Sequence, residues 1–302
     1  YVLSLDVEHY FGNIQKMRKH LETDRQILWV TYYRNLHNAT HPSEINSPVS
    51  LSRNLLAWNQ PGTNGLILPV NPSASFLSIL FANELWFTLG DMTMAEHCAM
   101  LSMIFSPRNS GSRMIKRLAE INLVNGDDEA ALKYLRILDK TLLHKSWAEK
   151  RIPGQQTPRV KEWLEKKRRD IPTQDQLRSG NDAVTSLQNL VASNAGNLRA
   201  YEYLLCYHLL SKDLRSFVED YVPGKVSSPI FAEALLIHLA RQGNIRAEEL
   251  IKYQIPVEIA KEFADYTRLY EAKDTSLKEK YGKTYWFYYH FATTEPGKES
   301  KP

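Results

Sequence analysis

The chain has 302 residues, 43% of them hydrophobic and 24% charged, a globular composition with material for a substantial core. A formal net charge of +4 is too small to demand a polyanionic partner, and no run of about 18 apolar residues offers a bilayer span. No signal peptide is visible and the first residue is Tyr1 rather than methionine, so the chain is expected to be a processed product or a piece of something longer.

In chain order, Tyr10, Ile14, Met17 and Leu21 step at helical spacing and predict a first amphipathic helix. Asp24 is placed to cap a second, through Leu28, Tyr32 and Leu36. Residues 40–74 are rich in Pro, Asn, Ser and Gly and read as loop, with a short apolar helix near Leu51–Trp58. Then "ELWFTLGDMTMAEHCAMLSMIFSP" (Glu84–Pro107) breaks at Gly90-Asp91, restarts on Ala95 and Ala99, and stops at a proline. Glycine suits the turn, and alanine lets two antiparallel helices approach closely. Pro107 is expected to end the second helix because it cannot extend the hydrogen-bond ladder.

The arrangement recurs in "MIKRLAEINLVNGDDEAALKYLRIL" (Met114–Leu138), which turns at Gly126-Asp127 with Ala131 at the small position. A third copy, Ala200–Pro223, turns at Lys212-Asp213 and puts Phe217 at the small position, so its helices are expected to sit farther apart. A fourth, Ile230–Pro256, turns at Gly243-Asn244. The turns at 90 and 126 lie 36 residues apart, and those at 212 and 243 lie 31 apart. Both bracket the roughly 34-residue period of tetratricopeptide repeats, which these stretches resemble. The expected fold is all-α: a right-handed array of stacked helix hairpins, a tetratricopeptide-like α-solenoid. It forms one domain over 1–294 with insertions near 40–74 and 145–182, then a disordered tail over 295–302. Residues 151–182 carry a charged helix, "RVKEWLEKKRRD", between Pro158 and Pro172, and Pro256 is expected as the first residue of a helix through Tyr270.

"NLLAWNQPG", "RLAEINLVNGDDEAALKYL", "AYEYLLCYHLLSKDLRSFV", "FAEALLIHL" and "YGKTYWFYYHFAT" together resemble an uncharacterised bacterial family of multi-pass membrane proteins with a soluble, repeat-containing C-terminal part. That resemblance implies a membrane-anchored full-length protein whose extracytoplasmic domain is seen here. It supplies no activity, cofactor or catalytic residue.

Cys98 and Cys206 are far apart in apolar helical patterns and read as buried thiols. His37 and His41 have the spacing of a zinc pair. However, no glutamate follows His37, and Pro42 favours a plain helix-to-loop junction; His9 lacks a third ligand at a recognisable spacing. His97, His208 and His238 read as packed or surface residues, and Glu84, Glu120 and Glu202 as structural acids. No nucleophile elbow, phosphate loop or dinucleotide fingerprint is present, and no cofactor or metal is expected.

The sharpest electrostatic feature is Lys166-Lys167-Arg168-Arg169; residues 151–170 hold seven Lys/Arg against three Asp/Glu. The run is either a solvated helix face or a contact for an anionic membrane surface or acidic partner. It lacks the aromatic interleaving of a nucleic-acid site, and no nucleic acid is expected. "YGKTYWFYYHF" reads as an aromatic cap on the array or as a sticky platform. The expected function is a non-catalytic protein-interaction or scaffolding module. Its concave groove would carry Asn83, Arg117, Asn122, Tyr203 and Tyr207 on the first helices of the repeats. The alternative is a glycan-binding or glycan-cleaving array, which needs two convergent groove carboxylates. A third reading is a structural domain that organises a membrane part.

Overall fold

The computed structural model describes residues 76–105, 107–173 and 183–291, with side chains over 83–104, 111–173 and 184–291. The expected helices before residue 40, the 40–74 loop, His9, His37, His41 and the 295–302 tail lie outside the described residues. Among the described residues every element is helical. They fall into two compact units, one ending at Tyr201 and the other beginning at Glu202.

The first unit contains α1 (Phe76–Leu89), α2 (Met92–Phe105), α3 (Pro107–Asn125), α4 (Asp128–Asp139), α5 (Lys145–Glu149), α6 (Pro158–Arg168) and α7 (Ala183–Ser193). It closes inside α8 (Leu198–Leu210). Each of α1 to α4 packs on the next, and α6 returns onto α3. Leu85, Trp86, Phe87 and Leu89 are all buried, so the described turns of α1 lie within the core, as their apolar side chains require. Ala99, Met114 and Leu118 form a core joining α2 to α3, with Met103 and Tyr134 packed against it. Ala95, Ala99 and Ala131 are fully buried, as their small size at close helix crossings predicts.

The elbows have a specific chemistry. The Gly90 N–H reaches the Phe87 carbonyl and the Asp91 N–H the Trp86 carbonyl, which satisfies two orphan acceptors at the end of α1. The geometry needs positive φ, here 92°. Asp91 Oδ1 then accepts the Met94 N–H at 2.9 Å and caps α2. At the second elbow Gly126 (φ 82°) and Asp127 repeat each step, with the Asp127 carboxylate on the Ala130 N–H at 2.9 Å. One glycine-aspartate pair thus ends one helix and starts the next. Pro107 stands just past the end of α2 and opens α3, where its missing N–H leaves no bond unmade.

The second unit holds the rest of α8 with α9 (Leu214–Asp220), α10 (Pro229–Arg241), α11 (Ala247–Lys252), α12 (Val257–Glu271), α13 (Leu277–Tyr281) and α14 (Tyr285–Phe291). At its first elbow Lys212 takes the left-handed conformation (φ 56°) in place of glycine, and Asp213 caps α9 through the Ser216 N–H at 3.0 Å. Phe217 is fully buried against Tyr221 and Phe231, and α9 packs on α10. In the fourth copy α10 packs on α12 and α14. The second helix of that copy, α11, buries no residue and exposes Ile251; half of its six residues are charged. Pro256 is the cap ahead of α12 rather than its first residue, because its ψ of 137° is extended.

The C-terminal aromatic segment is largely core. Tyr285, Trp286 and Tyr288 are buried. The Tyr285 and Tyr288 hydroxyls donate to the Leu209 and Leu210 carbonyls at 2.8 and 2.7 Å, closing the end of α8. Trp286 Nε1 donates to the Glu233 carbonyl at 3.0 Å. Cys98 and Cys206 are buried free thiols, and burial pushes the Cys98 thiol up to about 12.

Candidate ligand-binding cleft

A cleft of about 660 Å³ opens in the first unit, lined by Trp147 and Lys150 near α5, Arg151 and Thr157 in the connection, and Arg159 and Trp163 on α6, with Ser146 and Val160 completing it. Trp147 and Arg151 are four residues apart across the end of α5, and Arg159 and Trp163 are four apart on α6. That spacing puts each pair on one side of its own segment. The Arg151 guanidinium lies 4.1 Å from the Trp147 ring centre and 6.0 Å from that of Trp163. Its Nη1 donates to the Trp147 carbonyl at 3.2 Å, while its Nε, buried, has no hydrogen-bond partner. Lys116 on α3 places its ammonium 5.2 Å from the Trp147 ring. Val160 and Leu164, one turn apart, are buried where α6 meets α3.

The cleft is strongly cationic. Lys150, Arg151 and Arg159 line it and no carboxylate does. Burial lowers the pKa of Lys116 and of Arg151, each partly restored by Glu120. Burial and Lys116 also lower that of His144. Desolvated cations held over aromatic faces are pre-organised for an anion with an apolar body. Ser146 and Thr157 offer hydroxyls, but no base is seen activating either.

Behind the cleft lies a buried ionic network. Arg117 Nε donates to Asn83 Oδ1 at 3.2 Å, Nη1 bonds Glu120 at 3.0 Å, and Nη2 pairs with Glu84. Its guanidinium sits 3.8 Å from the Phe87 ring centre, and Phe87 stacks on Trp163. Asn83 Nδ2 donates to the Ala95 carbonyl at 2.6 Å. The network ties α1, α2 and α3 together and backs the Trp163 wall.

The residues singled out for a groove are not brought to one open surface. Asn83, Arg117, Asn122 and Tyr203 are buried, and Asn122 Nδ2 bonds back to the Leu118 carbonyl at 2.7 Å. Tyr207 is half-buried in α8. The basic run is divided. Lys166 and Arg169 are exposed. Lys167 Nζ donates to the Phe87 and Thr88 carbonyls at 3.3 and 3.5 Å, and Arg168 reaches the Val124 and Leu123 carbonyls at 3.0 and 2.8 Å. Asn197 and Arg199 complete the set on α1, bonding the Leu89 and Thr88 carbonyls at 2.7 and 3.3 Å. Arg168 also remains exposed, and only Lys167 of the run is half-buried; through their far ends Lys167 and Arg168 cap the negative ends of α1 and α3.

Sequence reading missed Trp147, Arg151, Arg159 and Trp163. The available signal was the Trp-to-Arg spacing of four on two neighbouring elements; only the fold shows that the two pairs face one cleft. Among the described residues no cluster of His, Cys, Asp and Glu is arranged to hold a metal, and no helix is long and apolar enough to cross a membrane.

The described portion is thus an all-helical protein carrying a tryptophan-lined cationic cleft. The chain belongs to a family of unknown function, DUF6057, whose model matches residues 1–292. No curated protein and no solved structure matches it.

Proposed function

We propose that this protein is a non-catalytic interaction module whose α5–α6 cleft holds an acidic segment of a partner protein. The observation that carries this reading is a cleft with three cations, two tryptophans and no carboxylate in its lining. A carboxylate would meet Arg151 and Arg159, and the apolar part of the segment would lie on Trp147 and Trp163. The successive packing of α1 through α4 and the repeated Gly-Asp elbow support the finer reading of a tetratricopeptide-like array in the first unit. The family resemblance supports a membrane-anchored parent chain. Glycan cleavage would need a facing pair of acids, and Glu84 and Glu120 are engaged with Arg117.

The test is tryptophan fluorescence during titration with a Glu/Asp-rich peptide, with a Lys-rich peptide as control. The acidic peptide is expected to shift the emission, and Arg151→Ala with Arg159→Ala to weaken binding at least about tenfold, the loss of two charge-assisted contacts. Equal response to both peptides, or no loss in the double variant, would sink the reading.

A further inference from the structure

The connection between α4 and α5 presents two large aliphatic side chains to solvent: Leu142 is 102% exposed and Leu143 76%. They are not loose. Thr141 Oγ1 donates to the Leu138 carbonyl at 2.7 Å and accepts the His144 N–H at 3.2 Å. The Lys145 N–H bonds the Thr141 carbonyl at 3.1 Å, while His144 is buried. The turn is clamped at both ends, and the leucines are held outward. Ile137, one turn before Thr141, is also exposed.

The tip is flanked by positive charge. Residues 139–162 hold six Lys/Arg against Asp139, Glu149 and Glu162. Lys140 and Lys145, on either side of the leucines, are exposed, and Glu149 lies 4.0 Å from Lys145. Half-buried Trp147 follows on α5. An outward aliphatic pair, flanking lysines and a nearby tryptophan match the layers of a bilayer interface: acyl chain, headgroup phosphate and the boundary between them. A protein partner could bury the leucines, but the surplus of positive charge around them favours an anionic lipid surface.

We propose that the Leu142-Leu143 turn is a membrane-contact tip that dips into an anionic leaflet. It goes beyond the cleft reading, and the residues varied in its test, Leu142, Leu143, Lys140 and Lys145, do not line the cleft. The test is co-sedimentation of the whole chain with phosphatidylglycerol vesicles and with phosphatidylcholine vesicles. Binding to the phosphatidylglycerol vesicles is expected. Leu142→Asp with Leu143→Asp should weaken it at least about tenfold, the loss of two aliphatic insertions. Lys140→Glu with Lys145→Glu should weaken it by a similar factor at low salt. The leucines are exposed, so the variants should keep the wild-type melting temperature and acidic-peptide titration, which separates failure here from failure of the cleft reading. Three results overturn the proposal: no binding to phosphatidylglycerol vesicles, binding that ignores the leucine variants, or a change of oligomeric state in those variants without lipid, which would assign the patch to a second copy.

Discussion

Gly90 answers two demands at once. Its φ of 92° disfavours any residue with a Cβ, and a Cβ there would run into the Asp170 carbonyl. Gly126 answers only the first, since open space surrounds its missing side chain. Gly126→Ala should therefore destabilise by about 1 kcal/mol, the left-handed penalty alone. Gly90→Ala should cost about 2 kcal/mol or more, because backbone must also shift. Urea midpoints of the two variants check the order; equal losses would mean the Asp170 approach is unimportant. Lys273 shows the reverse case: it holds φ 52° with an exposed side chain, so Lys273→Gly is expected to stabilise by about 0.5–1 kcal/mol.

At the scale of elements, the decisive device is the aspartate after each elbow. Asp91, Asp127 and Asp213 each accept an N–H three residues on, in two different units. Asp127→Ala should cost about 1 kcal/mol, while Asp127→Asn should retain most of it. Close packing around Ala131 makes a harsher test. Ala131→Arg forces a charged chain into a fully buried site on α4, and about 3 kcal/mol or more should be lost. A melting temperature within a degree or two of wild type would contradict the close α3–α4 crossing. The elbows at 90 and 126 were legible as glycine followed by aspartate and then alanine. Lys212 was legible as a turn but not as a left-handed residue, because lysine carries no preference for that conformation; the same two closing bonds as at the glycine elbows, from Lys212 to Leu209 and from Asp213 to His208, hold it there.

At the scale of the whole molecule, the two units carry buried ionisable groups that respond to pH in opposite senses. In the second, burial raises the Glu233 carboxyl from 4.5 to about 7, with Glu262 adding to it and the Tyr285 N–H opposing. Because the folded form holds that proton more tightly, its stabilisation is full below pH 4.5 and is lost as pH rises through about 7. In the first, burial, with Arg199 and Arg117, lowers the Lys167 ammonium from 10.5 to about 7. Its contribution is present above 10.5 and is lost as pH falls through about 7. A neutral amine still has hydrogens for the Phe87 and Thr88 carbonyls. Thermal melts are expected to show Glu233→Gln flattening the decline between pH 4.5 and 7, and Lys167→Met flattening the rise between 7 and 10.5. Variants that track wild type across both windows would remove these two groups as the cause.

The sequence by itself determined that the described part is helical, where its sharpest turns fall and which alanines must be buried. These follow from backbone conformation and local spacing, which neighbouring residues control. Tertiary structure alone decided what the charges do. Lys166 to Arg169 are one run in the chain, yet Lys167 and Arg168 close helices that precede them by some forty to eighty residues, while Arg151 and Arg159, unremarkable in sequence, face a common cleft. A charged side chain takes its role from the carbonyls, rings and solvent around its far end, and distant segments bring those together.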